Sequence, residues 1–341
     1  MHCCTECFSD RGLLKEIFPL NNAFEGDCSY CGSTAVMLLR PEQLRDHFEN
    51  LLSIYLENTD GKILVEWLQS DWDMFPNLDV ANSMRLLGDI LDDANIVRRQ
   101  YAPKIANNNT NLIDWSTFRC ELMHKNRFFP DTEIDQIRLE ALLFNVKIQV
   151  DEIPPFWFRS RTHDDKGLFD ITEMGAPPER KSTHGRANPA GIPYLYVASD
   201  RETAISEIRP HTGEAINVAH FSLSAPMKFV DLRDPKKSVS PFLVSDENEI
   251  ALLRRDIAFL EELGRELMRP VLPAAAAIDY IPSQYLCEFI KKCGYDGVVY
   301  RSSVGTGINL ALFNPEKAIV SDVVEKHIVE TVSITTVKND I

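Results

Sequence analysis

Hydrophobic positions divide the chain into two parts with different periods. In the first part, apolar residues recur three or four positions apart, as on one face of a helix, for example Leu44, Phe48 and Leu51. From about residue 155 onward, short β-branched and aromatic runs replace this pattern. Adjacent prolines in Ile153-Pro154-Pro155 separate the two parts, because proline ends a helix. The pattern predicts an α+β protein with a helical N-terminal part and a mixed β-core C-terminal part.

Helical spacing in the N-terminal part continues beyond the helix that Pro41 opens. The boundaries of the further helices follow the polar interruptions between apolar stretches. A polar loop at 107–111, rich in asparagine, is one such interruption. The further helices are predicted at Gly61–Phe75, Val80–Leu91, Trp115–His124 and Thr132–Val146.

Short strands alternate with helices in the C-terminal part. Ser199 or Asp200 is expected to cap the helix that begins near 201, because both side chains accept hydrogen bonds from a first turn. Residues 319–337 carry β-branched side chains and are predicted as a strand or a tail. Strands are predicted at Phe156–Thr162, Tyr194–Val197, Ile216–Leu223, Lys228–Val230, Gly297–Tyr300 and Asn309–Phe313, and helices at 201–209, 247–266 and 282–292.

Composition and charge narrow the class of protein. The 341 residues are 44% hydrophobic and 9% aromatic, which is typical of a folded chain long enough for two domains. A net charge of −15 repels phosphate backbones, so a general nucleic-acid binder is disfavoured. The sequence contains no export signal and no apolar run near the roughly 18 residues of a membrane span. We expect a cytoplasmic homo-oligomer without a membrane partner.

Cysteines concentrate at the N-terminus, where five of the eight lie within the first 31 residues. Cys4-x-x-Cys7 and Cys28-x-x-Cys31 are separated by 20 residues, as in four-cysteine zinc sites. Each C-x-x-C turn supplies two thiolates to a tetrahedral ion. Cys3 is an alternative to Cys4 but breaks the spacing. A disulfide or redox dithiol is the competing interpretation, and zinc is favoured because no export signal is found.

One acid lies on an apolar face of the helix predicted at 201–209. Glu207 lies among the apolar residues Ala204, Ile205 and Ile208 of that helix, so its carboxylate must be paired, hydrogen-bonded or functional. An ion pair with Arg186 or Arg209 is the structural interpretation. A contact with a ligand is the functional one.

An ordered series of motifs in the C-terminal part resembles the RES domain family. The resemblance covers residues 155–320 and rests on several separate anchors in the family's order. In chain order these are Arg159 and Arg161 on the first strand, Gly185-Arg186-x-Asn188, Tyr196, Thr203-Ala204-x-x-Glu207, Val230-Asp231-Leu232, a helix from Ser283 to Leu286, Ser302 and Ser303 in GYDGVVYRSS, and Asn309 in GINLALF.

The resemblance implies an ADP-ribosyltransferase-like fold and an enzyme that cleaves the nicotinamide–ribose bond of NAD. Glu207 would stabilise the oxocarbenium-like charge on the ribose, as carboxylates do in glycosidases. Arg159 would bind the diphosphate through its forked donors. Tyr196 would supply an aromatic wall for the nicotinamide ring. Ser302 would bind the nicotinamide amide or an attacking phosphate.

The family's other motif residues are expected to bind the same substrate. Arg186 and then Arg161 are further candidates for the diphosphate. Ser303 is an alternative to Ser302. Asn188 and Asn309 complete the expected binding set, although an asparagine at such a position also holds a turn. Each residue taken alone has a plain structural interpretation, and it is their order along the chain that favours the functional one.

A second resemblance concerns the N-terminal part. Arg119 and His124 are separated by four residues, as in the active motif of HEPN ribonucleases, and the segment 125–129 resembles one found in HEPN-like regions fused to RES domains. The structural interpretation is a solvated arginine and a histidine at a helix end. We therefore expect a HEPN-like helical domain and leave a ribonuclease site open.

These features predict four segments with different roles. The predicted function is an NAD-consuming toxin or anti-phage defence effector that its N-terminal region regulates. Expected partners are NAD, inorganic phosphate and a regulatory protein or antitoxin, with water and phosphate both open as the attacking group. The alternatives are an ADP-ribosyltransferase acting on a protein or nucleic acid, and an inactive RES fold that senses a nucleotide. The segments are a zinc knuckle at 1–33, the helical domain at 34–150, the RES domain at 155–320 and a strand or tail at 321–341.

Overall fold

The fold is described from a computed structural model. The predicted polar loop at 107–111 and the end of the predicted C-terminal tail, 334–341, lie outside the described residues. The described residues are 1–104, 112, 115–163, 167–224 and 226–333.

The chain forms two compact units, each assembled from segments that are distant in sequence. The first unit contains the cysteine-rich N-terminus and most of the predicted helical part. The second contains the motifs of the C-terminal part. The first unit comprises 1–114, 134–146 and 234–261, and the second comprises 115–133, 147–233 and 262–341.

Three of the described helices begin at an aspartate that caps them. Asp79, Asp135 and Asp200 each accept a hydrogen bond from a backbone N–H in the first turn of the helix that follows. The predicted cap at Asp200 is therefore confirmed. The helices of the described residues are α1 Phe18–Leu20, α2 Arg45–Leu52, α3 Leu64–Trp72, α4 Val80–Leu91, α5 Trp115–His124, α6 Gln136–Asn145, α7 Arg201–Glu207, α8 Pro235–Ser238, α9 Glu247–Met268, α10 Ala276–Asp279 and α11 Ile281–Lys292.

Strands occur in both units. The six runs predicted between Phe156 and Phe313 agree with strands of the second unit to within one residue at each end, whereas the short strand Lys147–Gln149 was not predicted. The C-terminal segment of β-branched residues forms a strand as far as Ile328, and the described residues 329–333 lie beyond that strand. The strands are β1 Cys3–Cys4, β2 Phe24–Gly26, β3 Val36–Leu39, β4 Tyr55–Ile63, β5 Gln100–Pro103, β6 Lys147–Gln149, β7 Phe156–Thr162, β8 Leu195–Ala198, β9 Ala215–Leu223, β10 Lys228–Asp231, β11 Gly297–Arg301, β12 Ile308–Leu312 and β13 Ala318–Ile328.

The first unit combines helices with two small antiparallel sheets. β1, β3 and β2 form one sheet in that order, and β4 pairs with β5 in the other. Its core contains aromatic rings in mutual contact, with centroids 5.0–6.3 Å apart, as expected for tilted and edge-on aromatic pairs. These rings belong to Phe8, Phe18, Phe48, Phe75 and Phe242.

The helix predicted at Gly61–Phe75 begins later than expected, at Leu64. Residues before it pair with β5 instead, with Ile63 opposite Gln100. A Cβ atom at Gly61 would lie 2.0 Å from the carbonyl oxygen of Tyr101, so only glycine permits this approach of the two strands. These residues follow a local helical pattern, but pairing with β5, a strand far along the chain, overrides it.

The second unit is built on a mixed sheet that confirms the predicted α+β class. Its eight strands lie in the order β13-β9-β7-β8-β12-β11-β10-β6. The pair β10–β11 is parallel and the other pairs are antiparallel. One face carries the apolar core, which includes Trp157, Leu195, Val197, Phe229, Val299 and Leu310.

Residues that alternate with the core residues lie on the other face of the sheet, because side chains of a strand point to alternating sides. Tyr196, Tyr300 and Asn309 lie on this second face, where α7 packs. Among the described residues, no helix combines the length and apolar character that a bilayer span requires.

Candidate active site and metal centre

A cavity of about 330 Å³ lies in the second unit, beside α7. Strand β7 pairs with β8 at a single position, Phe158 opposite Ala198, although these strands are neighbours in the sheet. The two strands therefore separate beyond that position and leave space between them. The cavity volume is at the lower end of the range for small-molecule sites. Predicted site residues from β7, β8, α7 and β12 line this one space.

The carboxylate of Glu207 lies at this cavity and is held by neutral donors. Its Oε1 atom accepts hydrogen bonds from Ser302 Oγ at 2.7 Å and from Asn309 Nδ2 at 2.5 Å. No salt bridge of the described residues involves Glu207, so the ion pair with Arg186 or Arg209 is not formed. The negative charge of Glu207 thus remains available to a ligand.

Arg159 contributes an unpaired guanidinium to the same cavity. Its Nη1 atom donates to the carbonyl oxygen of Tyr196 at 3.1 Å, whereas Nε is buried and has no hydrogen-bond partner among the described residues. Burial, with repulsion from Arg161, lowers the pKa of Arg159 to about 10, so the group stays charged at neutral pH. A buried cation without a counter-ion is costly. This arrangement indicates an anionic ligand.

Ser160 is a cavity residue that the sequence analysis missed. Its side chain is buried, with 6% exposed, and its hydroxyl has no hydrogen-bond partner among the described residues. By strand alternation it shares a face of β7 with Phe158, which also lines the cavity. The only sequence signal was a hydroxyl next to a strand arginine, and this pattern is too common to identify a site.

Aromatic side chains form much of the cavity wall. Tyr196, predicted for this role, is joined by Phe158, Tyr280 and Tyr300. Burial raises the pKa of Tyr300 well above its usual value, so its hydroxyl stays protonated. These rings provide flat apolar surfaces that suit a planar aromatic ligand.

The turn from Gly185 to Asn188 is held by the hydroxyl of Tyr196. This oxygen accepts from the N–H groups of Ala187 at 2.9 Å and Asn188 at 3.2 Å, and it donates to Asn188 Oδ1 at 2.7 Å. A Cβ atom at Gly185 would lie 2.3 Å from that Oδ1, so the turn requires glycine. Tyr196 thus has two roles, with its ring at the cavity and its hydroxyl in the turn.

Asn188 is not among the residues that line the cavity. It is buried, with 3% exposed, and its Nδ2 atom lies within hydrogen-bond distance of Ser182 Oγ and of backbone carbonyls around the turn. These bonds occupy the amide donors. The geometry therefore gives Asn188 a role in shaping the turn, the structural interpretation named for it from the sequence.

Arg186 and Ser303 are brought together at the edge of the cavity. Nη2 of Arg186 donates to Ser303 Oγ at 3.3 Å, and Nη1 donates to the carbonyl oxygens of Leu267 at 2.9 Å and Arg269 at 2.6 Å. The guanidinium carbon lies 5.8 Å from the ring centroid of Tyr280. The side chain is thus fixed at several points and leaves its other donors for a ligand.

Arg161 lies outside the cavity lining, although it was predicted to bind the substrate. Its guanidinium packs 4.1 Å from the ring centroid of Phe169 and donates to the carbonyl oxygen of Glu173. The two arginines predicted to bind the substrate from this strand therefore have different positions. Arg159 lines the cavity, whereas Arg161 is engaged elsewhere and acts on the site through its charge.

The four predicted metal ligands converge in the first unit. The Sγ atoms of Cys4, Cys7, Cys28 and Cys31 all lie within 4.8 Å of one another. The Cys4–Cys31 and Cys7–Cys28 pairs are 3.4 Å apart and Cys4–Cys7 is 3.9 Å. Thiolates around tetrahedral zinc are about 3.8 Å apart, since each Zn–S bond is about 2.3 Å. All four cysteines are free, so the disulfide interpretation is wrong.

Cys3 stands outside this cluster. Burial raises its pKa, and its thiol donates to the carbonyl oxygen of Leu39 at 3.6 Å. Cys4 rather than Cys3 therefore joins Cys7, as the C-x-x-C spacing predicted. Within the described residues, these four cysteines form a cluster that could hold a metal ion, and three of them are buried.

The turn from Cys28 to Cys31 is hydrogen-bonded to α4. Arg85 Nη2 donates to the carbonyl oxygen of Ser29 at 3.0 Å, and the Tyr30 hydroxyl donates to Asp89 at 2.6 Å. Both contacts come from residues between Cys28 and Cys31. Order in the metal centre and packing of α4 are therefore linked.

The residues of the HEPN-like motif lie on α5 in the second unit. Arg119 is not solvated as expected, because its Nε atom donates to Glu266 at 2.8 Å in a largely buried ion pair. His124 is exposed at the end of the helix, as the structural interpretation supposed. The charge of Arg119 is thus neutralised within the unit, and the ribonuclease site stays a prediction.

Comparison with known families identifies the family of this chain. The RES domain family matches residues 157–334, slightly more than half of the chain. The chain therefore belongs to the RES domain family, and the resemblance drawn from its motifs is confirmed. No curated protein matches it. Among solved structures, a chain in the crystal structure of the M. tuberculosis MbcT–MbcA toxin–antitoxin complex is similar, with 12% identity and a TM-score of 0.32 over 56% of this chain and 92% of that chain.

Proposed function

We propose that the second unit cleaves NAD at the bond between nicotinamide and ribose. The observation that carries this proposal is an acid and a guanidinium, Glu207 and Arg159, that line one cavity without an ion pair to each other or to other described residues. A substrate that satisfies both must offer positive charge to one and negative charge to the other. NAD does so, with a cationic nicotinamide riboside next to a diphosphate.

The reaction breaks the bond from ribose C1′ to the nicotinamide nitrogen. The electron pair of that bond leaves with nicotinamide, which departs neutral, and the ribose takes on oxocarbenium-like charge. Glu207 stabilises this charge as it develops. An acceptor oxygen then bonds to C1′ and loses its proton to solvent. Water gives ADP-ribose, and phosphate gives a phosphate ester of ADP-ribose.

The neighbouring residues receive roles from their contacts. Arg159, with Arg186, binds the diphosphate, for which forked donors are suited. Ser302 and Asn309 orient Glu207 by donating to one of its oxygens, so Ser302 acts through the acid. The cavity's aromatic rings enclose the nicotinamide and limit water at the reacting carbon.

The cysteine cluster is proposed to hold zinc as a structural ion. Four thiolates without an open position form a closed site that stabilises a fold and performs no chemistry.

We propose that the first unit regulates the enzyme and that the whole protein acts as a toxin or anti-phage effector, under the control of an antitoxin or another regulatory protein. This part of the proposal rests on the family resemblance.

Product analysis of the purified full chain tests the reaction. NAD is incubated with the protein, with and without inorganic phosphate, and products are identified by mass. Release of nicotinamide with ADP-ribose or its phosphate ester supports cleavage and names the acceptor. ADP-ribose attached to a protein or nucleic acid supports the transferase alternative. NAD binding without cleavage supports a sensor, and neither binding nor cleavage contradicts the proposal.

A further inference from the structure

The turn at Gly185–Asn188 is held from a second side by the beginning of α11. Ser283 Oγ donates to the carbonyl oxygen of Arg186 at 2.5 Å, and Gln284 Nε2 donates to the carbonyl oxygen of Gly185 at 2.8 Å. Both side chains are almost fully buried, with 1% and 6% exposed. Neither lines the cavity. They therefore lie behind the site and contact its backbone.

These contacts complete the hydrogen bonding of the turn. The N–H groups of Ala187 and Asn188 donate to the Tyr196 hydroxyl, and the two preceding carbonyl groups accept from α11. Successive peptide groups of the turn are thus fixed by side chains on opposite sides. A rotation of the turn would break bonds to one side or the other, and each buried bond left unmade is costly.

The turn carries Arg186, whose guanidinium reaches the cavity edge. Its contacts with Leu267, Arg269 and Ser303 require the backbone of Arg186 to hold its present orientation. A long arginine side chain loses much rotational freedom when it is fixed. If the backbone were loose, a ligand would have to supply that ordering on binding, which would weaken its affinity.

We propose that Ser283 and Gln284 are positioning residues that set the affinity of the cavity for its dinucleotide through Arg186. They touch neither the ligand nor the reacting atoms. The identity of the ligand rests on the proposed function, whereas the positioning of Arg186 by α11 does not. The two residues act on binding rather than on the step that breaks the bond.

A double-mutant cycle distinguishes positioning from plain helix packing. Gln284→Ala and Ser283→Ala are each made in the wild-type and in the Arg186→Ala background, and KM and kcat for NAD are measured. In the wild-type background each change should raise KM by about three- to tenfold, the effect of one lost hydrogen bond, with kcat almost unchanged. In the Arg186→Ala background the rise should disappear.

Two control variants accompany the cycle. Ser283→Thr keeps a hydroxyl and should restore most of the wild-type KM. Ile290→Ala alters a buried residue of the same helix, six positions beyond Gln284, and it should lower thermal stability without raising KM. An equal rise in KM in both backgrounds, or a rise with Ile290→Ala, would overturn the proposal.

A measurement without NAD keeps the positioning proposal testable if the wild-type protein does not cleave NAD. Trypsin cuts after arginine, and cleavage after Arg186 reports how often the turn opens. Gln284→Ala should increase cleavage at this position relative to other sites, and Ile290→Ala should not. Unchanged cleavage after Arg186 in Gln284→Ala would overturn the positioning role, whereas absent NAD turnover in the wild type would count only against the proposed function.

Discussion

The cysteine cluster of the first unit and the cavity of the second unit differ in how their polar groups are satisfied. In the cluster, four thiols face one another and each Sγ atom lies within 4.8 Å of the other three. In the cavity, Arg159 Nε and Ser160 Oγ are buried without hydrogen-bond partners in the described part of the chain, and Glu207 accepts hydrogen bonds from the neutral side chains of Ser302 and Asn309. The thiols of the cluster face one another, whereas the charged groups of the cavity are available to bind another molecule.

This difference predicts which property a substitution will change. In a closed site each group stabilises the others, so removal of one lowers stability. In an open site the unpaired groups already destabilise the free protein, so their removal lowers binding or turnover with little loss of stability. The two regions can therefore be separated by measuring stability and activity on the same variants.

Loss of the metal is expected to have the largest effect. Cys28→Ser should abolish binding of about one zinc per chain and destabilise the first unit by several kcal/mol, because metal binding is coupled to folding. Metal analysis and thermal unfolding check this. Cys3→Ala is the control, since Cys3 is buried but outside the cluster. Protein purified without chelator and free of zinc would contradict the closed-site interpretation.

Replacement of the acid should have the next largest effect, this time on activity. Glu207→Gln keeps size and hydrogen bonding but removes the charge, so NAD turnover should fall by about 10²–10³ while NAD still binds. Glu202→Gln, an exposed acid on the same helix, is the control. Rates and binding are measured on folded protein. Near wild-type turnover would make Glu207 structural, and Ser302 and Tyr196 would be tested next.

Replacement of the two arginines of strand β7 should change KM to different extents. Arg159→Ala removes the cavity guanidinium and should raise KM by about 10- to 100-fold, as for a lost charged hydrogen bond, with a smaller change in kcat. Arg161→Ala removes the same charge from the same strand but outside the cavity lining, and its effect on KM should be much smaller. Steady-state kinetics with both variants provides the test, and equal effects would return Arg161 to the binding site.

Ser160 offers a test in which stability and binding move in opposite directions. Ser160→Ala removes a buried hydroxyl to which no described residue is hydrogen-bonded, so the melting temperature should stay level or rise, while KM rises by about three- to tenfold. Ser83 is also buried, but its hydroxyl donates to the carbonyl oxygen of Asp79 at 2.8 Å, so Ser83→Ala should lower the melting temperature and leave KM unchanged. A lower melting temperature for Ser160→Ala with unchanged KM would give Ser160 a structural role.

The smallest effect on NAD turnover is expected for the HEPN-like pair. His124→Ala should be close to wild type, because the side chain is exposed at the end of α5. Arg119→Ala leaves buried Glu266 unpaired, so it should lower stability while turnover per folded molecule stays near wild type. An RNA-cleavage assay on the same variants tests the ribonuclease alternative, which cleavage lost in both variants would favour.

Features that depend on residues near one another in the chain could be predicted from the sequence. The paired C-x-x-C spacing predicted the cluster of four cysteines, because a tight turn brings two cysteines together and needs only one further pair. Strand β7 has the predicted bounds Phe156–Thr162, and the cap of α7 is Asp200, one of the two residues expected there. Ordered motifs identified the RES domain, and most of the site residues they named line one cavity.

Contacts between groups that lie far apart in the chain could not be predicted from the sequence and are set by the tertiary structure. Glu207 bonds to Ser302 and Asn309, which lie 95 and 102 positions away, and not to the arginines considered for it. Asn188 and Arg161 lie off the cavity, while Ser160 belongs to it. The register of the sheet and the separation of its strands set these neighbours. Local patterns specify helices, strands and turns because those depend on residues a few positions apart, but they carry no information on how distant segments are brought together.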